Sequence, residues 1–217
     1  MVAAGRAGYL PIGVDIKIDA LQAARRVMAF HNVAGFVVSA DLAALPFQSG
    51  LLDSVFSYSV LQHAHRDKVR DCVAEIHRVL ANDGACFLEF PLSHGLSNWR
   101  HSLKRSQRAA EDDPESWVVR YYSWTDLEHL FQPHFPHITM MVDCILGIGL
   151  RPEDSDLLPW KYRPLIFASE LFKRLSEIVK PLGKLSDSIF VEASKSGRAL
   201  TRTVAIGSEL LTGCRTT

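Results

Sequence analysis

Residues 51–91 read LLDSVFSYSVLQHAHRDKVRDCVAEIHRVLANDGACFLEFP, and this stretch decides the fold class. Asp53–Ser59, DSVFSYS, is a short strand that runs out into hydroxyl-rich residues. Val69, Cys72, Val73, Ile76, Val79 and Leu80 then recur at i, i+3, i+4, i+7, i+10 and i+11, the stripe of a helix with one buried face. Asn82-Asp83-Gly84 is expected to stop that helix, since glycine tolerates positive φ after a last turn. Ala85–Phe90, ACFLEF, is the next strand and ends at Pro91. Strand, helix and apolar strand in succession form the unit of a parallel sheet covered by helices on both faces.

The same alternation extends towards the N-terminus. Pro11–Asp15, PIGVD, reads as a strand, followed by a helical pattern with Ile18, Leu21, Ala24 and Met28 on one face and His31-Asn32 closing it. Gly35–Asp41, GFVVSAD, is a second β-branched run, and Ala43–Gly50 is a loop marked by Pro46 and Gly50. The C-terminal half is less regular. Ser123 with Asp126 three residues later fits a helix N-cap leading into Leu127, Leu130 and Phe131. HITMMVD (137–143) and SIFVEA (188–193) are further strands. A single domain is expected over 1–195, with lid or acceptor-side excursions at 92–120 and 144–183 and a flexible tail over 196–217. The second excursion holds an amphipathic helix with Leu165, Phe172, Leu175 and Val179 among its apolar positions.

Composition narrows the function classes. The 217 residues are 47% hydrophobic and 22% charged, enough for one sizeable core. Lys+Arg 24 equals Asp+Glu 24, so no net field draws nucleic acid or an anionic membrane. The basic run Arg100–Arg108 is offset by EDDPE at 111–115 and reads as a solvated face. No apolar run approaches the roughly 20 residues of a membrane span, and no secretory leader is evident at the start. Cys72, Cys86, Cys144 and Cys214 lack CxxC spacing, which argues for reduced thiols in a cytoplasmic setting and against a metal site.

In an open parallel sheet, ligands bind beyond the carboxyl ends of the strands. Asp15 closes its strand immediately before a helix, where a carboxylate can accept hydrogen bonds from both hydroxyls of a ribose or cap the helix. Asp41 follows GFVVSA. It can accept from an adenine amino group while Leu42 covers the base, or it can simply make a turn. Ser57, Tyr58, Ser59 and Gln62 run off the third strand and could line a ligand. His63 could titrate near neutrality there, or stand as an ordinary solvated or packed imidazole. Glu89 reads as a sheet-edge or supporting residue.

GVDI with its helix, SADLAALPF, LLDSVFSYSVLQH, EIHRVL, NDG and ACFLEFP, in that order, resemble the class I S-adenosylmethionine-dependent methyltransferases, nearest their small-molecule type 11 group. YYSWTDLEHLF (121–131) adds to the likeness. The resemblance implies an α/β Rossmann-like sheet of order 3-2-1-4-5-7-6 with strand 7 antiparallel, S-adenosyl-L-methionine as cofactor and methyl transfer to a small-molecule acceptor. It also implies that Asp15, with Ile16 beside it, holds the cofactor ribose. Asp41 and Leu42 would meet adenine, and Ser57, Tyr58 and Gln62 would line the methionine portion. His63 is the one candidate for a substrate-facing group, and Trp99, Trp117, Tyr121, Tyr122 and Trp124 are candidate walls or plain packing.

One departure bears on all of this. The family's first strand and its glycine-rich turn should precede GVDI, but Gly8 lies only seven residues before Asp15. A crossover helix needs an interval of about 20 residues. MVAAGRAGYLP matches the end of that helix instead, so the chain reads as an N-terminally truncated relative without strand 1. A degenerate, non-catalytic partner protein of the same fold is the competing reading. An NAD-dependent reductase fits less well, because GxGxxG and a Tyr-x-x-x-Lys pair are also missing. The absence of Asn-Pro-Pro-Tyr after DSVFSYS favours a small molecule over nucleic acid or protein as acceptor.

Overall fold

The computed structural model describes residues 1–96, 98, 113, 118–145 and 160–196. Helix α3 (Arg66–Val79) is the organising element. His65 caps it, its ring nitrogen accepting from the Asp67 N–H, and Asp67 in the first turn and Arg78 in the last complement the helix dipole. Its stripe buries Val69, Cys72, Val73, Ile76 and Val79 completely.

The chain leaves α3 without the left-handed stop expected at Asn82-Asp83-Gly84. Leu80 is already extended (φ −66°, ψ 138°) and opens strand β4 (Leu80–Pro91). Gly84 is needed for a different reason: a Cβ there would lie 2.9 Å from the Asp53 carbonyl oxygen. It lets β4 press against its neighbour β3 (Leu52–Ser57), where the register shifts between Leu52 and Ser54.

Four strands form one sheet in the order β3-β4-β6-β5, with β5 at His137–Cys144 and β6 at Ser188–Ser194. β3 and β4 are parallel, and β6 runs antiparallel to both β4 and β5. Helix α4 (Trp124–Phe131) begins with the expected capping box, Ser123 and Asp126 exchanging hydrogen bonds with each other's backbone. Its Leu127 and Phe131 complete the core with α3, where the Phe90 ring meets Phe131 and Tyr122 edge-on at 5.9 and 5.2 Å.

A separate two-stranded sheet pairs β1 (Ile12–Asp15) in parallel with β2 (Phe36–Ser39), linked by α2 (Ile18–Phe30). A short helix, α1 (Val2–Arg6), precedes β1. Leu21 and Met28 face inwards from α2, whereas Ile18, expected on the same stripe, is exposed. Deleting strand 1 from the order 3-2-1-4-5-7-6 leaves 3-2 and 4-5-7-6, and these are the two sheets observed. Among the described residues no strand joins β1 to β3.

Helix α5 (Arg163–Ile178) packs against β5. Among its described side chains Ile166, Ser169 and Ser176 are buried; of the expected apolar positions Leu175 and, just beyond the helix, Val179 are exposed, Phe172 is half-buried, and the Leu165 side chain lies outside the described residues. The excursions over 92–120 and 144–183 lie partly outside the described residues, as do Trp99, Trp117 and Cys214 and all but the first residue of the tail.

Candidate functional site

Three strand ends meet above the sheets. Asp41, two residues past β2, sends one carboxylate oxygen to the Ala43 N–H at 3.0 Å and the other to Lys68 Nζ at 2.7 Å. Lys68 lies in the first turns of α3, which follows β3, so this ion pair sets the exit of β2 beside the exit of β3. The Lys68 ammonium holds the Asp41 carboxyl below the usual carboxylate range. A second tie lies further down α3. Glu75 accepts from the Leu45 N–H at 2.7 Å, while Arg78 grips Glu75 and donates to the Leu45 carbonyl at 3.1 Å.

Asp15 ends β1, and its Oδ1 accepts from the Lys17 N–H at 2.8 Å across the entry to α2. This bond spans the strand-to-helix turn and engages one of the two oxygens; the N-cap of α2 is Lys17, with no side-chain cap bond, so Asp15 does not cap the helix. Ile16 beside it is 63% exposed, whereas Leu42 packs partly against the core and is only half available to a base.

Beyond β3 the chain turns sharply. Ser57 is half-buried at the strand end, the Tyr58 ring lies 5.9 Å from that of Phe190, and Ser59 has φ 54°. A 3-10 turn over Leu61–His63 follows, with Leu61 fully buried. Fully buried Arg120 anchors this turn, its N–H donating to the Gln62 carbonyl at 2.8 Å and its guanidinium to the His63 carbonyl at 3.0 Å. The same guanidinium donates to the Asp113 carbonyl at 2.7 Å. His63 is half-buried, and its Nε2 stands 3.4 Å from the Gln62 amide nitrogen.

Glu89 is not at a sheet edge. β4 is paired on both sides, and Glu89 is 4% exposed. Its carboxylate accepts from the Ser59 N–H at 2.9 Å and from the Ser59 hydroxyl at 3.2 Å. Burial, reinforced by the like charge of Asp143, pushes it up to about 7. Buried Cys72 and Cys86 are pushed up to about 12 and Cys144 to about 11, so none offers a thiolate near neutrality.

Of the candidate walls, Tyr122 is buried beneath the Arg66 guanidinium, 4.5 Å from its ring centroid, and Trp124 packs on the core. Plain packing accounts for both. The sequence reading missed Lys68, Glu75, Arg78 and Arg120 as organisers of the site. Arg120 carried a signal, being a lone cation inside the apolar run WVVRYYSW. Among the described residues no cluster of histidine, cysteine and acidic side chains is arranged to hold a metal, and no helix is long and apolar enough to cross a membrane.

Residues 2–88 match the family model described as methyltransferase domain. No curated protein matches the chain by sequence. A Thermotoga maritima S-adenosylmethionine-dependent methyltransferase, described as a possible histamine N-methyltransferase, superposes with TM-score 0.55 at 12% identity, covering 89% of this chain and 76% of that one. An Archaeoglobus fulgidus S-adenosylmethionine-dependent methyltransferase gives 0.52 at 15% identity, over 88% and 78%. The Bacillus YcgJ protein gives 0.53 at 17%, over 85% and 82%. The fold is therefore the α/β Rossmann-like fold of these methyltransferases, with its strands in two sheets.

Proposed function

We propose that this methyltransferase-fold chain is built for S-adenosylmethionine-dependent methyl transfer to a small-molecule acceptor. One observation carries the reading. Over the stretch that matches the methyltransferase domain, Asp15 and Asp41 stand at the carboxyl ends of adjacent parallel strands, beside the turn that leaves β3. The donor set fits an adenosine. Asp15 has a carboxylate oxygen beyond the one that Lys17 uses, suited to ribose hydroxyls. Asp41, with Leu42, is placed for the base once Lys68 yields. The methionine end has fewer candidates, Ser57, Tyr58 and Gln62, and no glycine-rich turn occurs among the described residues.

When bound, the cofactor supplies an activated methyl carbon, so the protein's task is alignment and exclusion of water. Arg120 fixes the Gln62–His63 backbone for that purpose. His63 is the candidate to face the acceptor, and it matters chemically only if the acceptor must lose a proton.

A strand pairing with the open edges of both β1 and β3, and carrying a glycine-rich turn, would complete the site. The competing reading, a partner protein without catalysis, is favoured by one observation: Lys68 already occupies the Asp41 carboxylate. Calorimetry with S-adenosylhomocysteine separates the two, run on this chain and on a version extended upstream of Met1. Weak binding by this chain, micromolar binding by the extended one, and loss of at least tenfold on Asp15→Ala or Asp41→Ala are expected. Binding by neither form favours the partner protein, and saturable NADH binding in place of S-adenosylhomocysteine overturns both.

A further inference from the structure

Glu89 and Ser59 together have a geometry that the methyl-transfer reading leaves unused. Ser59 is one of two described non-glycine residues with positive φ, and the other, Asn32, merely closes α2. A left-handed serine persists only where its surroundings hold it. Here both of its donors, backbone N–H and hydroxyl, converge on the same oxygen of Glu89, a carboxyl enclosed in the inner strand β4.

We propose that the ionised Glu89 carboxylate is the positioning residue of the Ser57–Ser59 turn, holding Ser59 left-handed and so shaping the methyl-donor side of the site. What the turn binds rests on the methyl-transfer reading; the clamp itself does not. A carboxylate accepts both bonds with charge assistance, whereas protonation removes that assistance from the one oxygen Ser59 uses.

The surroundings make this clamp sensitive to pH. Asp143 on β5 opposes ionisation of Glu89, and the Ser188 hydroxyl of β6 lies between the two carboxyls, donating to Asp143 at 2.8 Å. The Cys144 sulfur is 3.1 Å from that same hydroxyl, and its thiol stays protonated near neutrality. Glu192 lies on the same face of the sheet, across from Phe87, and burial raises it too. Asp187 precedes β6, and among the described side chains of helix α5 Ile166, Ser169 and Ser176 are buried, with the paired Glu170 and Lys173 half-buried. Burial and the Asp143 charge thus push Glu89 up to about 7, against the Ser59 and Ser188 hydrogen bonds that favour its ionised form.

The test follows the Ser59 amide by ¹⁵N–¹H NMR in this chain from pH 5.5 to 8.5, alongside S-adenosylhomocysteine affinity at pH 6 and pH 8. The amide is expected to titrate with a midpoint near 7 in the parent, to be flat in Glu89→Gln, and to shift to lower pH in Asp143→Asn. Affinity should rise about tenfold from pH 6 to pH 8 in the parent, following the ionised fraction of a group centred near 7, and stay level in Glu89→Gln. A flat Ser59 signal in the parent, an unchanged titration in either variant, or equal affinity at the two pH values overturns the proposal. If Glu89→Gln fails to fold, the Asp143→Asn shift decides alone. A titrating amide without S-adenosylhomocysteine binding at any pH, by this chain or by the extended form, upholds the clamp and overturns the methyl-transfer reading instead.

Discussion

Strands β4 and β6 bury almost every side chain they carry, while β1 and β2 contain no buried residue at all. Their sequences do not explain the difference, since FVVS is as apolar as IFVEA. Neighbours explain it. β4 is hydrogen-bonded along both edges and covered by α3 and α4, whereas β1 is paired along one edge only. Two strands alone are marginally stable in water, and an apolar strand becomes core only when other elements close over both faces. The lesson is that hydrophobicity qualifies a segment for the interior, and topology decides whether it gets there.

The most severe way to break that comparison is to truncate one phenylalanine on each side. Phe90, enclosed by Tyr122 and Phe131, is 0% exposed, and Phe90→Ala should cost about 3–5 kcal/mol in denaturant unfolding. Phe36 on β2 is 59% exposed, and Phe36→Ala should stay within about 0.5 kcal/mol. Equal costs would mean that β2 shares the main core after all. Native-state hydrogen exchange sharpens the same point: amides of β1 and β2 should open locally, and those of β4 and β6 only on global unfolding.

Next in size is Glu89→Gln. The folded-state pKa of Glu89 lies above its ordinary value, so its contribution to stability is full below about pH 4.5 and is lost as pH rises towards 7. A displacement from 4.5 to about 7 corresponds to at most ~3 kcal/mol. The stability difference between variant and parent should therefore move in the variant's favour between pH 5 and pH 8, read from urea midpoints. If it stays constant, the well-packed sheet tolerates this charge without penalty. His77 acts in the opposite sense, because burial lowers it, and it is common to both proteins.

How much of this was legible in the sequence depends on how local the cause is. The stripe of α3 and the capping box at Ser123 and Asp126 are short-range patterns, and both elements form within two or three residues of where the pattern puts them. The order of the described strands was legible too, β1 beside β2 and β3-β4-β6-β5. Gly84 was misread because NDG suits a helix stop equally well; the deciding neighbour is the Asp53 backbone on another strand. Periodicity marked α5 as amphipathic but not which apolar positions would be covered: Phe172 is half-buried, whereas Leu175 is exposed. In the site, Asp15 and Asp41 could be placed at strand ends from the chain order alone. Their partners could not. Lys68 is 27 residues from Asp41, and the Ser59 donors are 30 from Glu89.

The smallest effect bears most directly on function, because it concerns the tie between the two regions. Asp41 and Lys68 are 43% and 49% exposed, so breaking the pair with Lys68→Met should cost only ~0.2–1 kcal/mol at pH 7. The Asp41 pKa is lowered in the fold, so that contribution exists above about pH 4 and disappears as acid protonates the carboxylate; parent and variant should converge there. The binding consequence has the opposite sign. If Asp41 receives the adenine amino group, Lys68 competes for the same oxygen, and Lys68→Met should tighten S-adenosylhomocysteine by about two- to fivefold. If Asp41 only tethers β2 to α3, the variant should bind no better than the parent, and the poorly packed sheet then contributes the ribose contact of Asp15 and nothing to the base.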